Sequence, residues 1–236
     1  CNNEAEVEDR FYKELEFGTG GLRGVIGAGT NRMNVYTVRK ATQGLANYII
    51  KRGTQSKGVA IAFDSRRMSP EFSDEAARCL AANGIKAYIF ESLRPTPELS
   101  FALRTLGCTA GIVVTASHNP PEWQGIKFNP RLGYPAPTNV TDFIAFRINE
   151  LQLIDHTGGQ SNVENARARG LVQGFDPLDD YVKWIKNNGK GNARIPIDFD
   201  RIRRFFADKM VVVDEMHGSG RGYLTRLLGE AGVRFT

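Results

Sequence analysis

A serine and a histidine stand side by side, as Ser117 and His118, directly after an apolar run at Gly111–Thr115 that predicts a buried strand. Pro120 and Pro121 follow, and because proline fixes φ and lacks a backbone N–H, they stop the strand from continuing. A serine held in such a turn can act as a nucleophile or carry a phosphoryl group. The alternative is a turn serine that bonds its own backbone. The segment lacks the Gly-x-Ser-x-Gly pattern, and no Ser/His/acid triad can be read from the sequence.

Two cations, Arg23 and Lys127, are candidates for contact with an anion. Arg23 lies in a glycine-rich stretch, Phe17–Gly24, which a second one, Gly27–Thr30, follows. So many glycines predict neither a helix nor a well-packed strand. An arginine in such a loop is either a solvated side chain or a phosphate ligand, since its guanidinium offers a fork of donors. Lys127 alternates with apolar residues, so it fits either the outward face of a strand or a functional position.

A strand–helix alternation around Ser117 predicts the scaffold that positions it. Its members are strands at Val59–Phe63, Ala87–Phe90 and Gly111–Thr115, a helix from an N-cap at Ser69 to Asn83, and a helix from Thr96 closed by Gly107. This order predicts an α/β fold with a mostly parallel sheet flanked by helices. Ligands of such sheets bind at the carboxyl ends of the strands, where Asp64–Arg66 and Thr115–Pro120 stand. We expect Asp64, Ser65 and Arg66 to shape this cleft without doing chemistry.

The remaining chain predicts further elements and a domain boundary near residue 175. The expected helices are Ala5–Glu16, Tyr36–Arg52 with a C′ glycine at Gly53, Thr141–Leu153, Tyr181–Lys186, Phe199–Phe206 and Tyr223–Ala231. The polar stretch Asp155–Gln173 predicts a surface loop. We expect one domain at 1–175 and an incomplete second one at 176–236. The second holds the strand Met210–Val213 and part of another, which is too little for a sheet.

Composition excludes several classes of protein. The chain has 236 residues, 41% apolar and 24% charged, which is typical of a globular protein and not of a disordered, collagen-like or disulfide-rich one. No run approaches the ~18 apolar residues of a membrane span, and no secretory leader is visible. Three widely spaced cysteines favour a reducing compartment, so we expect a cytoplasmic protein. The net charge of +5 is spread out, and a phosphorylated small molecule explains it as well as a nucleic acid does.

Several segments, in the right order, resemble one family. Thr115–Pro120 resembles the phosphoserine loop of the α-D-phosphohexomutases, the phosphoglucomutase/phosphomannomutase family. Phe17–Gly24 resembles the family's N-terminal phosphate-contacting segment, and Gly125–Asn129 the segment that bears its active-site lysine. Further matches occur at Asn31–Asn34, at Arg94–Glu98 and at Val211–Gly220, which resembles the opening of the family's second domain.

The resemblance implies an isomerase that moves a phosphoryl group within a sugar phosphate. Ser117 is then the phosphoserine, which donates to the free hydroxyl of a sugar monophosphate and is restored from the resulting 1,6-bisphosphate. A phosphoserine carries about −1.5 to −2 charge and needs cations, for which Arg23 and Lys127 are the natural candidates. His118 is expected to orient the phosphate or to move a proton, and Thr19 to contact phosphate or shape the loop. The implied partners are small-molecule sugar phosphates, with no nucleic acid and no membrane.

The family's cofactor is Mg²⁺, held by a D-x-D-x-D-R loop together with an oxygen of the phosphoserine. The nearest look-alike, Asp198–Arg201, has one aspartate too few, carries the bulky Phe199 and precedes the Met210–Val213 strand instead of following it. We predict that Asp198 or Asp200 caps the following helix. The phosphate of Ser117 is therefore the one metal ligand that the resemblance assigns to these residues, and we expect the 236 residues alone to be inactive.

Three functions remain open at this point. The first is the N-terminal part of a mutase, with glucose favoured over mannose and pentose phosphates. The second is a non-catalytic sugar-phosphate-binding relative, or an inactive fragment, that lacks the metal loop. The third is a nucleic-acid-binding module, which has no motif and no clustered basic face to support it. The sequence identifies neither the sugar nor the oligomeric state.

Overall fold

The structure is a computed structural model that describes residues 3–18, 20–150, 163–188 and 197–236. It divides into two compact units, unit 1 (Cys1–Phe175) and unit 2 (Asp176–Thr236). Thr19, a candidate phosphate contact, lies outside the described residues. Unit 1 carries the segments that the sequence singles out for chemistry.

Unit 1 is built on a sheet of six strands among the described residues. In chain order they are β1 (Gly21–Val25), β2 (Val59–Phe63), β3 (Ala87–Phe90), β4 (Ala110–Val114), β5 (Trp123–Pro130) and β6 (Val172–Phe175). The spatial order is β1-β5-β4-β2-β3-β6. Four neighbouring strands, β4, β2, β3 and β6, run parallel to one another. Strand β5 is antiparallel to both of its neighbours, β4 and β1. The predicted mostly parallel α/β fold is confirmed.

Helices cover both faces of this sheet. They are α1 (Glu4–Phe11), α2 (Val35–Lys51), α3 (Ser69–Ala82), α4 (Thr96–Leu106), α5 (Thr138–Glu150) and α6 (Val163–Ala168). On one face, Ile61 and Ile112 join a core with residues of α2 and α3 such as Leu45 and Phe72. On the other face, the small residues of β2 and Val113 of β4 pack against Leu99 and other residues of α4. Each large aliphatic side chain buried in this way stabilises the fold by about 1.5–3 kcal/mol.

The glycine-rich segment forms a strand where the sequence predicts none. Gly21–Val25 is β1, and it pairs along its length with β5, with Arg23 opposite Gly125 and Gly21 opposite Lys127. A Cβ atom on Gly21 would clash with the carbonyl oxygen of Ile126. The glycine therefore permits a close approach of two strands. The prediction from sequence treats glycine only as a residue of loops and so misses this role.

Other boundaries also differ from the prediction. The first helix ends at Phe11 instead of Glu16, and Leu15 packs against the core from a segment outside the helix. The predicted N-cap Ser69 is the first helical residue of α3; its hydroxyl is buried and donates to Asp64. The helix predicted to begin at Thr141 begins at Thr138, and residues 151–153 lie outside the described part.

The polar stretch predicted as a loop contributes regular structure from residue 163 onward. It forms α6 and then β6, which pairs with β3 at one edge of the sheet. Two of the four residues of β6 are exposed, so the strand shows no apolar run that the sequence could reveal. The predicted C′ glycine at Gly53 is confirmed, with φ at 63°.

Unit 2 consists of three helices and two short strands among its described residues. These are α7 (Leu178–Asn188), α8 (Phe199–Phe205), β7 (Met210–Val211), α9 (Tyr223–Glu230) and β8 (Arg234–Phe235). The expectation that this part forms no sheet is wrong, because β7 and β8 pair in parallel. The pair buries little: Met210 of β7 is 60% and Phe235 of β8 is 38% exposed. The predicted cap is confirmed, since the carboxylate of Asp198 accepts the N–H of Arg201 at 2.8 Å.

Candidate active site

Ser117 lies three residues beyond β4, at the carboxyl edge of the sheet. Its φ of 60° places it in the left-handed region, which a serine seldom adopts and which the surrounding contacts must therefore hold. The N–H of Ser117 donates to Oγ1 of Thr115 at 2.9 Å. The N–H of Thr115 donates to the carbonyl of Gly125 at 2.9 Å, so β4 and β5 stay joined up to the turn. The turn leaves the Ser117 side chain exposed to solvent.

Asp64, directly after the neighbouring strand β2, holds the turn from one side. One carboxylate oxygen accepts the hydroxyl of Thr115 at 2.5 Å. The other accepts the hydroxyl of Ser69 at 2.9 Å and the N–H of Arg66 at 3.0 Å. Asp64 thus ties the end of β2, the start of α3 and the Ser117 turn to one carboxylate.

Arg66 holds the turn from the other side. Its guanidinium donates to the carbonyl oxygens of Ser117 at 2.9 Å, of Asn119, of Pro120 at 2.8 Å and of Trp123 at 3.2 Å. Its Nε also lies 3.5 Å from Oδ2 of Asp64. The prediction that Asp64 and Arg66 shape the cleft agrees with these contacts, because both side chains are occupied in fixing the backbone.

Gln124 is a supporting residue that the sequence gives no reason to select. It is fully buried, and its amide nitrogen donates to the carbonyl of Arg67 at 2.9 Å and to the hydroxyl of Ser69 at 2.8 Å. Its amide oxygen accepts the N–H of Gly125 at 3.0 Å. Gln124 therefore connects β5 to the same network that fixes the turn, and a buried polar side chain in a strand is the signal that could have revealed it.

Arg23 and Lys127 share one face of the sheet. Residues that lie opposite each other in antiparallel strands share a face, and so do residues two apart in one strand, so the register places Arg23, Gly125 and Lys127 together. A Cβ atom on Gly125 would stand 3.0 Å from Cγ of Arg23 and 2.6 Å from the carbonyl oxygen of Thr115. The missing side chain at 125 therefore lets the arginine stem approach the base of the Ser117 turn.

Electrostatics connect Lys127 to the same site. Partial burial lowers the pKa of its ammonium below the usual 10.5, and the nearby charge of Arg23 lowers it further, while Asp64 opposes the shift. Among the described residues, neither Arg23 nor Lys127 forms an ion pair with a carboxylate, and two neighbouring cations without such a partner favour an anion at this place. The imidazole Nδ1 of His118 lies 3.2 Å from Oγ of Ser117, close enough for a hydrogen bond whose direction depends on the tautomer. The structure thus brings Ser117, His118, Arg23 and Lys127 to one edge, while Thr19 lies outside the described residues.

The described residues do not fit a magnesium site. A hard divalent cation takes several oxygen ligands in fixed geometry. Within the described ranges, no group of three or more histidine, cysteine or acidic side chains stands close enough to hold a metal. Asp198 caps α8, and Asp200 is ion-paired with Arg203, so neither carboxylate of the look-alike segment is available.

Comparison with known proteins gives consistent matches. A family model described as phosphoglucomutase/phosphomannomutase, alpha/beta/alpha domain I, matches residues 14–154. A phosphoglucomutase of Staphylococcus saprophyticus is 37% identical over 231 residues, covering 96% of this chain and 39% of that protein. A phosphoglucomutase of Staphylococcus aureus is 35% identical over 191 residues, covering 78% of this chain and 33% of that protein.

A solved structure matches as well. A Thermus thermophilus protein described as a phosphomannomutase has a TM-score of 0.72 at 26% identity, covering 94% of this chain and 45% of that one. The chain spans between a third and two fifths of the length of the curated relatives described above. In the part of the chain that the structure describes, no helix has the length and apolar character needed to cross a bilayer.

Proposed function

The chain belongs to the phosphoglucomutase/phosphomannomutase family, and on that basis we propose that it is the part of a phosphosugar mutase that carries the transferred phosphoryl group on Ser117. The observation that supports this most directly is the geometry of one edge of the sheet. There the Ser117 hydroxyl is exposed on a turn that Asp64 and Arg66 fix, beside the cations Arg23 and Lys127.

The fixed turn suits phosphoryl transfer because that reaction depends mainly on positioning and on stabilisation of charge. In the proposed step, the bond between phosphorus and Oγ of Ser117 breaks as a sugar hydroxyl oxygen bonds to phosphorus. The sugar hydroxyl gives up its proton to a base at the site, and Oγ of Ser117 takes up one proton from an acid at the site, so that it ends as a hydroxyl and the protons balance. The reverse step, on the other phosphate of the bisphosphate, restores the phosphoserine and releases the isomeric monophosphate.

The two cations have different proposed roles. Arg23 offers a planar fork of donors to phosphate oxygens and stays charged throughout. Lys127 has a lowered pKa, so it exchanges a proton with a sugar hydroxyl more readily than an exposed lysine does. His118 is proposed to orient the phosphate, and the 3.2 Å separation of its Nδ1 from Oγ of Ser117 supports this role. Thr19 is proposed as a further phosphate contact, on the family resemblance alone.

The finer points of the proposal rest on the relatives. The phosphoglucomutases of both Staphylococcus species are named for glucose phosphate, so we propose glucose 1-phosphate and glucose 6-phosphate as the substrates and the 1,6-bisphosphate as the intermediate. Units 1 and 2 are proposed as the first domain and the beginning of the second. The Mg²⁺ that the family resemblance implies would receive one ligand from these residues, an oxygen of the Ser117 phosphate, since the described residues hold no cluster of acidic, histidine or cysteine side chains for it.

The test combines the position of the phosphate with turnover. In a full-length protein isolated from cells, peptide mass mapping should place covalent phosphate on Ser117. A coupled assay should show conversion of glucose 1-phosphate into glucose 6-phosphate. A non-catalytic relative would bind the sugar phosphate without converting it. Phosphate on a different residue, in a protein whose Ser117→Ala variant stays active, would contradict the proposal.

A further inference from the structure

The opposite edge of the sheet holds a cavity that is separate from the Ser117 site. Its volume is about 560 Å³, and it is lined by residues that precede β2 and β4, such as Lys57 and Thr109, and by Arg131 after β5. Ser117 follows the other end of β4. Five residues of strand separate the two edges by about 16 Å.

The charge around this cavity has one sign. Arg52, Lys57 and Arg131 line it, and none of the described residues that line it is an aspartate or a glutamate. Arg52 donates to the hydroxyl of Tyr48 at 3.2 Å, and in the described part of the chain none of the three cations is ion-paired with a carboxylate. Cations that line a concave surface with low-dielectric walls concentrate positive potential there. The cavity therefore attracts anions.

The floor of the cavity has the opposite chemistry. Ile49, Phe128 and Ala136 are buried side chains that line it. On its wall, the hydroxyls of Thr54 and Thr109 lie 2.8 Å apart and bond each other. An apolar floor with a cationic rim and a few hydroxyls suits a ligand that has an apolar group at one end and an anion at the other.

We propose that this cavity binds an organic phosphate monoester whose ester group is apolar or aromatic. The apolar part would rest against Leu132 and Tyr134, which line the cavity and are 55% and 49% exposed, and the phosphate would face the cations of the rim. The volume lies within the range of about 300–1,000 Å³ that small-molecule sites occupy. This inference is independent of the chemistry at Ser117, because it uses none of the residues of that site.

Phenyl phosphate is a suitable probe, since it joins an aromatic ring to a phosphate. Titrated into the full ¹⁵N-labelled chain, it should shift the amide resonances of Thr54, Lys57 and Thr109 in a saturable way. Phenol, which has the ring without the charge, should bind at least about tenfold more weakly. Absence of saturable shifts at these amides, or equal binding of phenol, would overturn the proposal.

Reversing the charge of two cations at the rim of the cavity, beside a matched control, tests whether phenyl phosphate binds in the cavity. The double variant Lys57→Glu, Arg131→Glu should weaken phenyl phosphate binding at least about tenfold. The control Arg104→Glu, Arg169→Glu changes the net charge equally at two exposed positions that do not line the cavity, and should weaken binding less than about twofold because salt screens charges that do not face the ligand. All four positions are exposed, and circular dichroism checks the fold. Equal weakening by both double variants would show attraction to the overall charge and would reject the site.

Discussion

Two loops of this chain look alike locally and differ in what anchors them. The Ser117 loop (Thr115–Pro120) and the His217 loop (Asp214–Gly220) each follow a strand, contain a histidine and hold non-glycine residues at positive φ. The first follows β4, whose five residues are all buried. The second follows β7, a strand of two residues, and its Met216 is 79% exposed.

Hydrogen bonds from far along the chain anchor the Ser117 loop, and two local hydrogen bonds shape the His217 loop. Arg66 and Asp64 reach the Ser117 loop from more than fifty residues away. In the His217 loop, Asp214 accepts the N–H of Met216 at 2.9 Å, and Glu215 accepts the N–H of Gly222 at 2.9 Å. Contacts from distant elements fix a side chain relative to the whole sheet, whereas these short-range contacts shape a turn that leads into α9. A histidine beside a strained turn is therefore a poor guide to a site until its anchors are known.

The largest expected difference between the loops is in turnover. In a full-length protein, Ser117→Ala should lower turnover at least about a thousandfold, because it removes the proposed phosphoryl carrier. His217→Ala should leave turnover within about twofold, since nothing in the proposed reaction uses that loop. A coupled glucose 6-phosphate assay measures both. Comparable losses in the two variants would remove the distinction between the loops.

The next effect concerns the anchor. Arg66→Ala should lower kcat about a hundredfold with a smaller change in KM, because a displacement of about 1 Å at the reacting group has that cost. Arg66→Lys should restore little, since an ammonium cannot reproduce the guanidinium's four carbonyl contacts. Arg221→Ala, at an exposed position after the His217 loop, is the matched control and should behave as wild type. Full activity in Arg66→Ala would show that the loop holds its shape unaided.

A smaller effect concerns stability, and it compares a partly buried lysine near the Ser117 loop with an exposed lysine before the His217 loop. Because the fold lowers the pKa of Lys127, the charged form costs stability at every pH below that lowered pKa, and the cost disappears as the pH rises to 10.5. Lys127→Met should therefore raise the free energy of unfolding at neutral pH, and the gain should shrink as the pH rises through this window. Lys209→Met, which breaks an exposed ion pair with Asp208, should give no such gain. Urea titrations at several pH values test both.

The smallest expected effect is shared by the two loops. Ser117→Gly and His217→Gly each relieve a left-handed residue, at φ of 60° and 59°, and should each stabilise by at most about 1 kcal/mol. Thermal unfolding of the two variants measures this. A clearly larger gain at one position would mean that its anchors impose strain beyond the backbone conformation itself.

The sequence predicts the inner parallel strands well because they are buried on both faces and read as apolar runs. β2 and β3 are found at their correct bounds for this reason. It fails for β6, which lies at an edge with two exposed residues, and for β1, whose glycines serve a close approach between strands. A strand that is buried on both faces shows an apolar run in the sequence, whereas the pairing of an edge strand leaves no such pattern.

The sequence predicts which residues form the candidate site, but it does not predict the contacts that hold them in place. Ser117, His118, Arg23 and Lys127 stand out from motifs that resemble those of a family. Arg66 is assigned to the cleft by its position after a strand, yet its targets are backbone carbonyls, which leave no trace in the sequence. Gln124 is missed because a glutamine in a strand has no fixed meaning until its partners are seen.

The pairing of β1 with β5 also sets an order of events during synthesis. About a hundred residues separate the paired strands, so at about 5–20 residues per second β1 leaves the ribosome roughly 5–20 seconds before its partner exists. During that interval Arg23 has no fixed position, and the segment must avoid pairing with other chains. Three of the five residues from Gly21 to Val25 have little tendency to extend alone, namely two glycines and a charged arginine. The two glycines and the arginine therefore have two effects. They hide β1 from prediction by sequence, and they protect the nascent chain from aggregation until β5 is synthesised.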